Sequence, residues 1–219
     1  MTLDENLAIA RASRHPGFLA VLPSIMLPMF LAVMDQTIVA TALPAIAAST
    51  GNVERASWIV VSYLVAPTIA APIYGRLGDA FGRRRLLFVA LAVFIAASLI
   101  CAAAPTIELL TLARVLQGFG GGGLMTLSQA LIGEAIPPRE RARYQGYLAA
   151  VAVGANTFGP VAGGYLTQHF GWPSVFLINL PFGIVAMLLA RGLPQRAGRT
   201  HFWGDDRPCR GRLAAHAPD

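Results

Sequence analysis

Two charged side chains lie inside long apolar stretches of the sequence. Asp35 lies in LAVMDQTIVATALPAI, and Arg114 lies in LARVLQGFGGGG. A charge at the middle of a membrane-spanning helix costs about 2.5–3.5 kcal/mol on insertion scales, and such residues usually mark ion or proton paths. Arg114 needs acceptors because a guanidinium group does not readily lose its proton, and its charge would affect a neighbouring acid. The alternatives are an aspartate that reaches water near a helix end and an arginine bonded to carbonyls of adjacent helices.

Glycines that follow Arg114 have the spacing of a nucleotide-binding motif. Gly118, Gly120 and Gly123 fit G-x-G-x-x-G, with Glu140 further along the chain. In dinucleotide-binding proteins this motif follows a strand and opens a helix. Here no strand pattern precedes it, and the glycines lie in an apolar stretch of membrane-spanning length. We therefore expect them to allow close packing of membrane helices rather than to bind a nucleotide.

A second glycine-rich segment reads GANTFGPVAGG. Its glycines and its proline are Gly154, Gly159, Pro160, Gly163 and Gly164. A proline removes one backbone hydrogen bond and kinks a helix, and glycines let a neighbouring helix pack closely or slide. The segment is therefore expected to act as a hinge or gate, and a static packing seam is the alternative.

The segment GRLGDAFGRRR, residues 75–85, is expected to form a short loop between two apolar stretches. Gly78 and Gly82 permit tight turns, and Asp79 can accept hydrogen bonds from a neighbouring helix N-terminus. The arginines that end the segment are expected to hold it on the cytoplasmic side. A plain positively charged loop is the alternative, although the order of glycine, aspartate and arginine is more particular than that.

The composition excludes most soluble classes of protein. Of the 219 residues, 55% are hydrophobic and 13% are charged, and the mean hydropathy is +0.58. A soluble domain has about 25% charged residues. The net charge of +6 comes from arginine alone among basic residues, in short clusters between apolar runs. That pattern points to membrane topology, so the expected partner is the lipid bilayer and no nucleic acid is expected.

Six apolar stretches are long enough to cross a bilayer, which takes about 20 residues. They are residues 18–43, 56–74, 86–104, 107–136, 144–166 and 172–193. We predict an all-α membrane protein with an N-terminal segment at 1–17, a six-helix transmembrane bundle at 18–193 and a tail at 194–219. The tail has no apolar period and is expected to be irregular. It is either a natural cytoplasmic tail or the product of a frameshift or early stop in a longer gene.

The distribution of arginine between the stretches predicts the orientation. Alternate gaps contain Arg11, Arg14, Arg76, Arg83, Arg84, Arg85, Arg139, Arg141, Arg143, Arg191, Arg196 and Arg199. The remaining gaps contain only Arg55, together with Glu54 and Glu108. Because arginine-rich loops stay in the cytoplasm, both termini are predicted to be cytoplasmic. The use of arginine without lysine hints at a GC-rich bacterial genome, so a multi-pass protein of the bacterial inner membrane is expected.

Five segments together resemble the major facilitator superfamily. They are residues 34–44 (MDQTIVATALP), 75–85 (GRLGDAFGRRR), 114–120 (RVLQGFG), 154–164 (GANTFGPVAGG) and 172–183 (WPSVFLINLPFG). Residues 75–85 resemble the family's signature between helices two and three, and residues 154–164 resemble the fifth-helix motif of antiporters. The first and last segments are similar to those of the fourteen-span drug:proton antiporters. The resemblance extends over about residues 15–195.

The resemblance implies a six-helix bundle of two inverted three-helix repeats, with substrate bound between it and a second bundle. It implies proton coupling through Asp35 and Arg114, and a substrate cavity at Gln117 and Asn156. The implied cytoplasmic contact with the other bundle comprises Gly75, Gly78, Asp79, Gly82, Arg83 and Arg84. The implied antiporter helix motif comprises Gly154, Gly159, Pro160, Gly163 and Gly164.

The expected activity is that of the N-terminal half of a proton-coupled multidrug efflux antiporter, truncated and not competent alone. The proton gradient is the expected energy source, with no cofactor and no metal, and the expected substrate is a small hydrophobic or cationic molecule. The expected partner is the missing C-terminal bundle or another chain. The alternative is a non-transporting membrane fragment, or a half-transporter that pairs with another chain. An enzyme is not expected, because the histidines are dispersed and outside the predicted membrane core, at positions His15, His169, His201 and His216.

Overall fold

The computed structural model describes residues 16–51, 53–135 and 141–192, and within these ranges all regular secondary structure is α-helical. The helices are α1 (Pro16–Thr50), α2 (Val53–Phe81), α3 (Arg83–Ala102), α4 (Ile107–Ala135), α5 (Arg141–Phe170), α6 (Ser174–Leu177) and α7 (Asn179–Ala190). Only Ile178 separates α6 from α7, and the two together occupy the sixth predicted stretch. Nearly all of the predicted N-terminal segment 1–17 and the whole tail 194–219 lie outside the described residues.

Some helices run beyond the ends that hydropathy predicts. α1 ends at Thr50 rather than at residue 43, and α2 continues to Phe81 rather than ending at residue 74. The predicted loop at residues 75–85 is therefore wrong in extent, since Gly82 is its only non-helical residue. Gly82 makes the turn with a φ of 94°, a backbone conformation that other residues rarely adopt. Hydropathy misses these ends because a helix can continue past the hydrocarbon into water.

The helices pack in a symmetrical pattern. α1 packs most extensively against α5, and α4 packs most extensively against α2. α4 also packs against α3, as α1 does against α7. The first group of helices is therefore α1, α2 and α3, and the second is α4, α5 and α6 with α7. Corresponding helices of the two groups pack against each other in equivalent ways, which is the pattern expected of two three-helix repeats. The predicted fold class, an all-α six-helix bundle, is confirmed.

Glycine lets α4 lie in contact with two neighbours at once. A Cβ added at Gly118 would come within 2.7 Å of the carbonyl oxygen of Tyr63 in α2. A Cβ at Gly120 would come within 2.8 Å of the backbone nitrogen of Phe94 in α3. Both distances are far below van der Waals contact, so only glycine allows these backbones to approach so closely. The glycine pattern therefore serves helix packing, as predicted.

Large apolar side chains are exposed on the outer surface of several helices. Leu64, Val65 and Ile69 on α2 and Val161 on α5 are all exposed. Three of the described helical stretches are long and apolar enough to cross a membrane by length and composition, namely Leu22–Thr50, Val53–Phe81 and Arg83–Ala102. α4 and α5 are enriched in glycine and polar residues, and the sixth stretch forms a shorter apolar helix at Ser174–Ala190.

Candidate functional site

The two charges inside the apolar stretches form a buried ion pair. Nη1 of Arg114 on α4 donates to Oδ2 of Asp35 on α1 at 2.5 Å. The side chain of Asp35 is 0% exposed and that of Arg114 is 1% exposed. A buried charge is tolerated when an opposite charge and hydrogen bonds compensate for its lost hydration. The two positions are 79 residues apart in the chain, so the fold brings together the two residues that the sequence singles out.

Gln117 holds both members of the ion pair. Its Oε1 accepts from Arg114 Nη1 at 2.9 Å, and its Nε2 donates to Asp35 Oδ1 at 2.9 Å. Gln117 lies three residues after Arg114, so the two side chains project from one face of α4. The amide orientation of Gln117 is fixed, because its oxygen meets the guanidinium and its nitrogen meets the carboxylate.

Two uncharged residues that the sequence analysis did not select complete this network. Asn179, the first residue of α7, donates through Nδ2 to Asp35 Oδ1 at 2.6 Å. Ser98 on α3 accepts from Gln117 Nε2 at 2.8 Å and from Asn179 Nδ2 at 3.4 Å. Both side chains are 0% exposed. The available signal was a polar residue within an apolar stretch, which is weaker than a charge.

Aromatic side chains enclose the guanidinium group of Arg114. Its Cζ lies 4.0 Å from the ring centroid of Tyr63 and 5.9 Å from that of Phe176. Rings at these distances attract a cation and exclude water from it. The Tyr63 hydroxyl donates to the Ala32 carbonyl at 2.9 Å, which fixes the ring on α1. Arg114 Nε also donates to the Ile59 carbonyl at 3.4 Å.

The network joins five helices around one carboxylate. Asp35 receives hydrogen bonds from Arg114, Gln117 and Asn179, so donors from two other helices surround its carboxylate. The arrangement pairs one buried carboxylate with one buried guanidinium group and joins α1 to α4 and α7.

The glycine-rich segment of α5 has two unlike faces. A Cβ at Gly159 would collide with the side chain of Thr37, and a Cβ at Gly163 would collide with that of Thr41. Both threonines belong to α1, and Thr37 lies two residues after Asp35. Gly159 and Gly163 are four residues apart, so they form one face along which α5 lies directly on α1.

The other residues of the predicted antiporter motif lie away from this seam. A Cβ added at Gly154 or at Gly164 would meet no atom within 4 Å, and Pro160 is exposed. Asn156, predicted to line a substrate cavity with Gln117, is also exposed on α5. Gln117, the other predicted cavity residue, is buried within the network.

The turn between α2 and α3 is held by charged side chains. Arg83 Nη2 donates to Asp79 Oδ1 at 2.8 Å, and Arg83 Nε lies 3.3 Å from Glu134 Oε1 on α4. Asp79 therefore pairs with an arginine side chain and not with a helix N-terminus as predicted. Arg84 Nη2 donates to the Arg191 carbonyl, which connects this turn to the end of α7.

Gly75 and Gly78 differ in their surroundings. A Cβ at Gly75 would meet nothing within 4 Å, whereas a Cβ at Gly78 would lie 3.0 Å from Leu127 on α4. Gly78 is thus a packing residue inside α2 and not a turn residue.

No cluster of three or more potential metal-ligating side chains occurs within the described part of the chain.

The apolar helices identify the class of this protein, and its sequence identifies the family. The long apolar helices of the bundle indicate a multi-pass membrane protein. Residues 25–208 match the family described as Major Facilitator Superfamily, which is most of the chain. The chain belongs to this family of transporters.

Several curated relatives are transporters or efflux pumps. An uncharacterised MFS-type transporter of Mycobacterium tuberculosis is 41% identical over 163 residues, which is 74% of this chain and 24% of that protein. The multidrug transporter protein MdtP of Bacillus subtilis is 38% identical over 78% of this chain and 32% of its own length. The efflux pump dotC of Dothistroma septosporum is 38% identical over 80% of this chain and 31% of its own length. The chain thus spans about a third or less of these relatives.

Solved structures show the same fold at low sequence identity. The xylose transporter XylE of E. coli, in a partially occluded inward-open conformation, superposes with a TM-score of 0.72 at 15% identity. That match covers 81% of this chain and 50% of XylE. A second XylE structure, in an inward-open conformation, gives a TM-score of 0.65. The bundle therefore has the fold of one half of a transporter of this family.

Proposed function

We propose that this chain is the N-terminal bundle of a proton-coupled multidrug efflux antiporter, in the fourteen-span subfamily. The observation that carries the proposal is the buried ion pair of Asp35 and Arg114, held by Gln117 and Asn179. Asp35 is the proton-binding group, and Arg114 is its charge partner. Efflux activity is proposed because the curated relatives include a multidrug transporter and an efflux pump.

The charges of Asp35 and Arg114 determine how favourable the helix packing is in each protonation state. With Asp35 ionised, the pair is neutral and the contacts of α1 with α4 and α7 are closed. With Asp35 protonated, Arg114 keeps its positive charge and loses its ionic partner, so the same packing becomes less favourable. Proton binding therefore biases the bundle between two arrangements, and the proton gradient supplies the energy without a cofactor.

Transport in this mechanism requires two bundles facing each other. The substrate, a small hydrophobic or cationic molecule, would bind between them near the membrane midplane. Gly75, Gly78, Asp79, Gly82, Arg83 and Arg84 are proposed to form the cytoplasmic contact with the second bundle. Gly159, Pro160, Gly163 and Gly164, with Gly154, are proposed to shape the movement between outward and inward states. Gln117 and Asn156 remain the proposed substrate-cavity residues.

The proposed location is the bacterial inner membrane, with both termini cytoplasmic. The arginine-rich turn at Arg83 and Arg84 supports this orientation. The exposed ion pair between Arg55 and Glu108, at 2.7 Å, lies at the opposite end of α2 and α4. An accessibility assay with cysteine placed at Arg85 or at Arg55 tests the orientation: only the Arg55 site should react with an impermeant thiol reagent in intact cells.

A fusion protein tests the function. Residues 1–193 of this chain would replace the matching N-terminal part of MdtP, so that the second bundle comes from a relative 38% identical in the matched region. We expect the fusion to export a lipophilic cationic dye from efflux-deficient cells and Asp35→Asn to abolish export. Export that persists in Asp35→Asn at equal protein level, or in the presence of a protonophore, would contradict proton antiport through Asp35.

The alternative is a half-transporter that pairs with another chain, or a fragment that does not transport. The chain without a fused second bundle distinguishes these possibilities. We expect no export from it alone, and crosslinking in membranes would reveal a partner chain if one completes it.

A further inference from the structure

Asn179 has one satisfied and one unsatisfied amide atom in the buried network. Its Nδ2 donates to Asp35 Oδ1 at 2.6 Å and lies 3.4 Å from Ser98 Oγ. Its Oδ1 is buried and has no hydrogen-bond partner. An unpartnered buried carbonyl is costly because it has lost its hydrogen bonds to water, so such an atom calls for a physical reason.

The side-chain amide of Gln117, in the same site, is restricted to one orientation. Its Oε1 accepts from Arg114 Nη1 at 2.9 Å, so turning the amide over would place an NH₂ group against a guanidinium. Asn179 has no such restraint, because nothing bonds to its Oδ1. Turning Asn179 over against the ionised carboxylate would leave both amide atoms without a partner, whereas turning it over against a protonated Asp35 would leave only its Nδ2 unpaired.

The protonation state of Asp35 therefore decides which orientation is stable. An ionised carboxylate only accepts hydrogen bonds, so it requires the Nδ2 side of Asn179. A protonated carboxyl group has an O–H to donate, and the Oδ1 of Asn179 is the carbonyl that can accept it after a half-turn of the amide. One proton from the aqueous phase adds to Asp35 in this step, no covalent bond breaks, and the charge of the ion pair rises from zero to +1.

We propose that Asn179 is a positioning residue that follows the protonation state of Asp35, donating to the ionised carboxylate and turning over to accept from the carboxylic acid. This inference rests on the proposed function, in which Asp35 takes up a proton. Asn179 is also the first residue of α7, so a change in its hydrogen bonding would act at the start of that helix.

The charged and titratable groups around Asp35 come from three helices. Arg114 on α4 contacts it directly, Tyr63 on α2 stacks on Arg114, and Cys101 on α3 donates to Gln117 Oε1 at 3.4 Å. From α5, α6 and α7, the described residues add no titratable side chain to the hydrogen bonds of the network. Asp35 is thus the acidic group of this network to which Asn179 can respond.

Infrared spectroscopy of the protein labelled with ¹³C at the asparagine side-chain carbonyl tests the inference without a transport assay. The chain contains four asparagines, and the Asn179 band is assigned by subtracting the spectrum of Asn179→Leu. Asn179→Ser provides a second subtraction if Asn179→Leu does not fold. Asn156→Leu is the matched control, since Asn156 is exposed on α5.

We expect the Asn179 carbonyl band to shift to lower frequency over the same pH range in which the Asp35 carboxylate band disappears. The shift should be absent in Asp35→Asn and retained in Asn156→Leu. A static Asn179 band while the Asp35 carboxylate disappears would overturn this inference and leave the proposed function standing. A carboxylate band that persists throughout the folded range would overturn both.

Discussion

At the scale of single residues, the bundle contains one carboxylate saturated with donors and one cation enclosed by aromatic rings. Each charge compensates for the lost hydration of the other, because both side chains are buried away from solvent. The packing of α1, α4 and α7 meets at this ion pair and its hydrogen bonds.

Removing one charge should therefore cost more stability than removing both. We expect Asp35→Leu or Arg114→Leu alone to lower the free energy of unfolding by about 3–5 kcal/mol, because each leaves an unpaired buried charge. The double variant should recover most of that loss, since two apolar side chains fill the site. Thermal unfolding of the purified variants in detergent measures both effects.

Transport in the fusion gives the control for this pair. The double variant should fold and still fail to export dye, which separates the stability of the bundle from its function. Equal melting temperatures for the single and double variants would contradict the idea that the ion pair is energetically coupled.

The sequence predicted Asp35 and Arg114 because a charge in an apolar stretch is conspicuous. It did not predict Ser98 or Asn179, since serine and asparagine occur in membrane helices without a special role. Asn179 reaches Asp35 across 144 residues of chain. Which polar groups meet depends on the rotation of each helix about its axis, and a single sequence does not encode that rotation locally.

At the scale of helices, α5 lies on α1 through Gly159 and Gly163, whose neighbours are Thr37 and Thr41. The seam starts two residues after Asp35, so α1 connects the carboxylate of the buried ion pair to the glycine-rich face of α5. A change in the position of α1 would alter its contacts with α5 along this seam.

Two adjacent glycines allow a matched test of the seam. A Cβ at Gly163 would lie 2.7 Å from the Ile38 carbonyl, whereas a Cβ at Gly164 would meet nothing within 4 Å. We expect Gly163→Ala to reduce the free energy of unfolding by about 1–3 kcal/mol through overpacking. Gly164→Ala should be neutral or slightly stabilising, because alanine is the better helix former. Equal melting temperatures for the two variants would contradict the close approach of α1 and α5.

A second helix-scale prediction concerns the turn between α2 and α3. Gly82 has φ 94° and ψ 124°, which a residue with a side chain rarely adopts. We expect Gly82→Ala to cost about 1–3 kcal/mol of stability. Gly75→Ala is the matched control, since a Cβ there is unobstructed, and it should leave the melting temperature unchanged or slightly raised. A larger effect at Gly75 than at Gly82 would argue against this turn.

Helix number was predictable from hydropathy, but helix ends were not. Residues 75–81 contain glycine, arginine and aspartate and so predict a loop, yet they extend α2 to Phe81. Their helical hydrogen bonds continue the segment before them, and Gly78 packs against α4. Local composition cannot show that contact, whereas the long apolar stretches identify the core of each helix directly.

At the scale of the whole molecule, the group α1–α3 packs against the group α4–α7 around the buried network. α1 and α4 each pack against a helix from the other group, so the ion pair between them joins the two groups. Under the proposed function, a proton at Asp35 would act at the junction of the two repeats. This placement supports the proposal that proton binding is coupled to a movement of the bundle.

The most direct test of proton coupling is dye transport by the purified MdtP fusion in liposomes with an imposed pH gradient. The account predicts that a lipophilic cationic dye moves only while the gradient lasts, and that a protonophore or Asp35→Asn stops it. Dye movement that is independent of the gradient, or that continues in Asp35→Asn, would contradict the account.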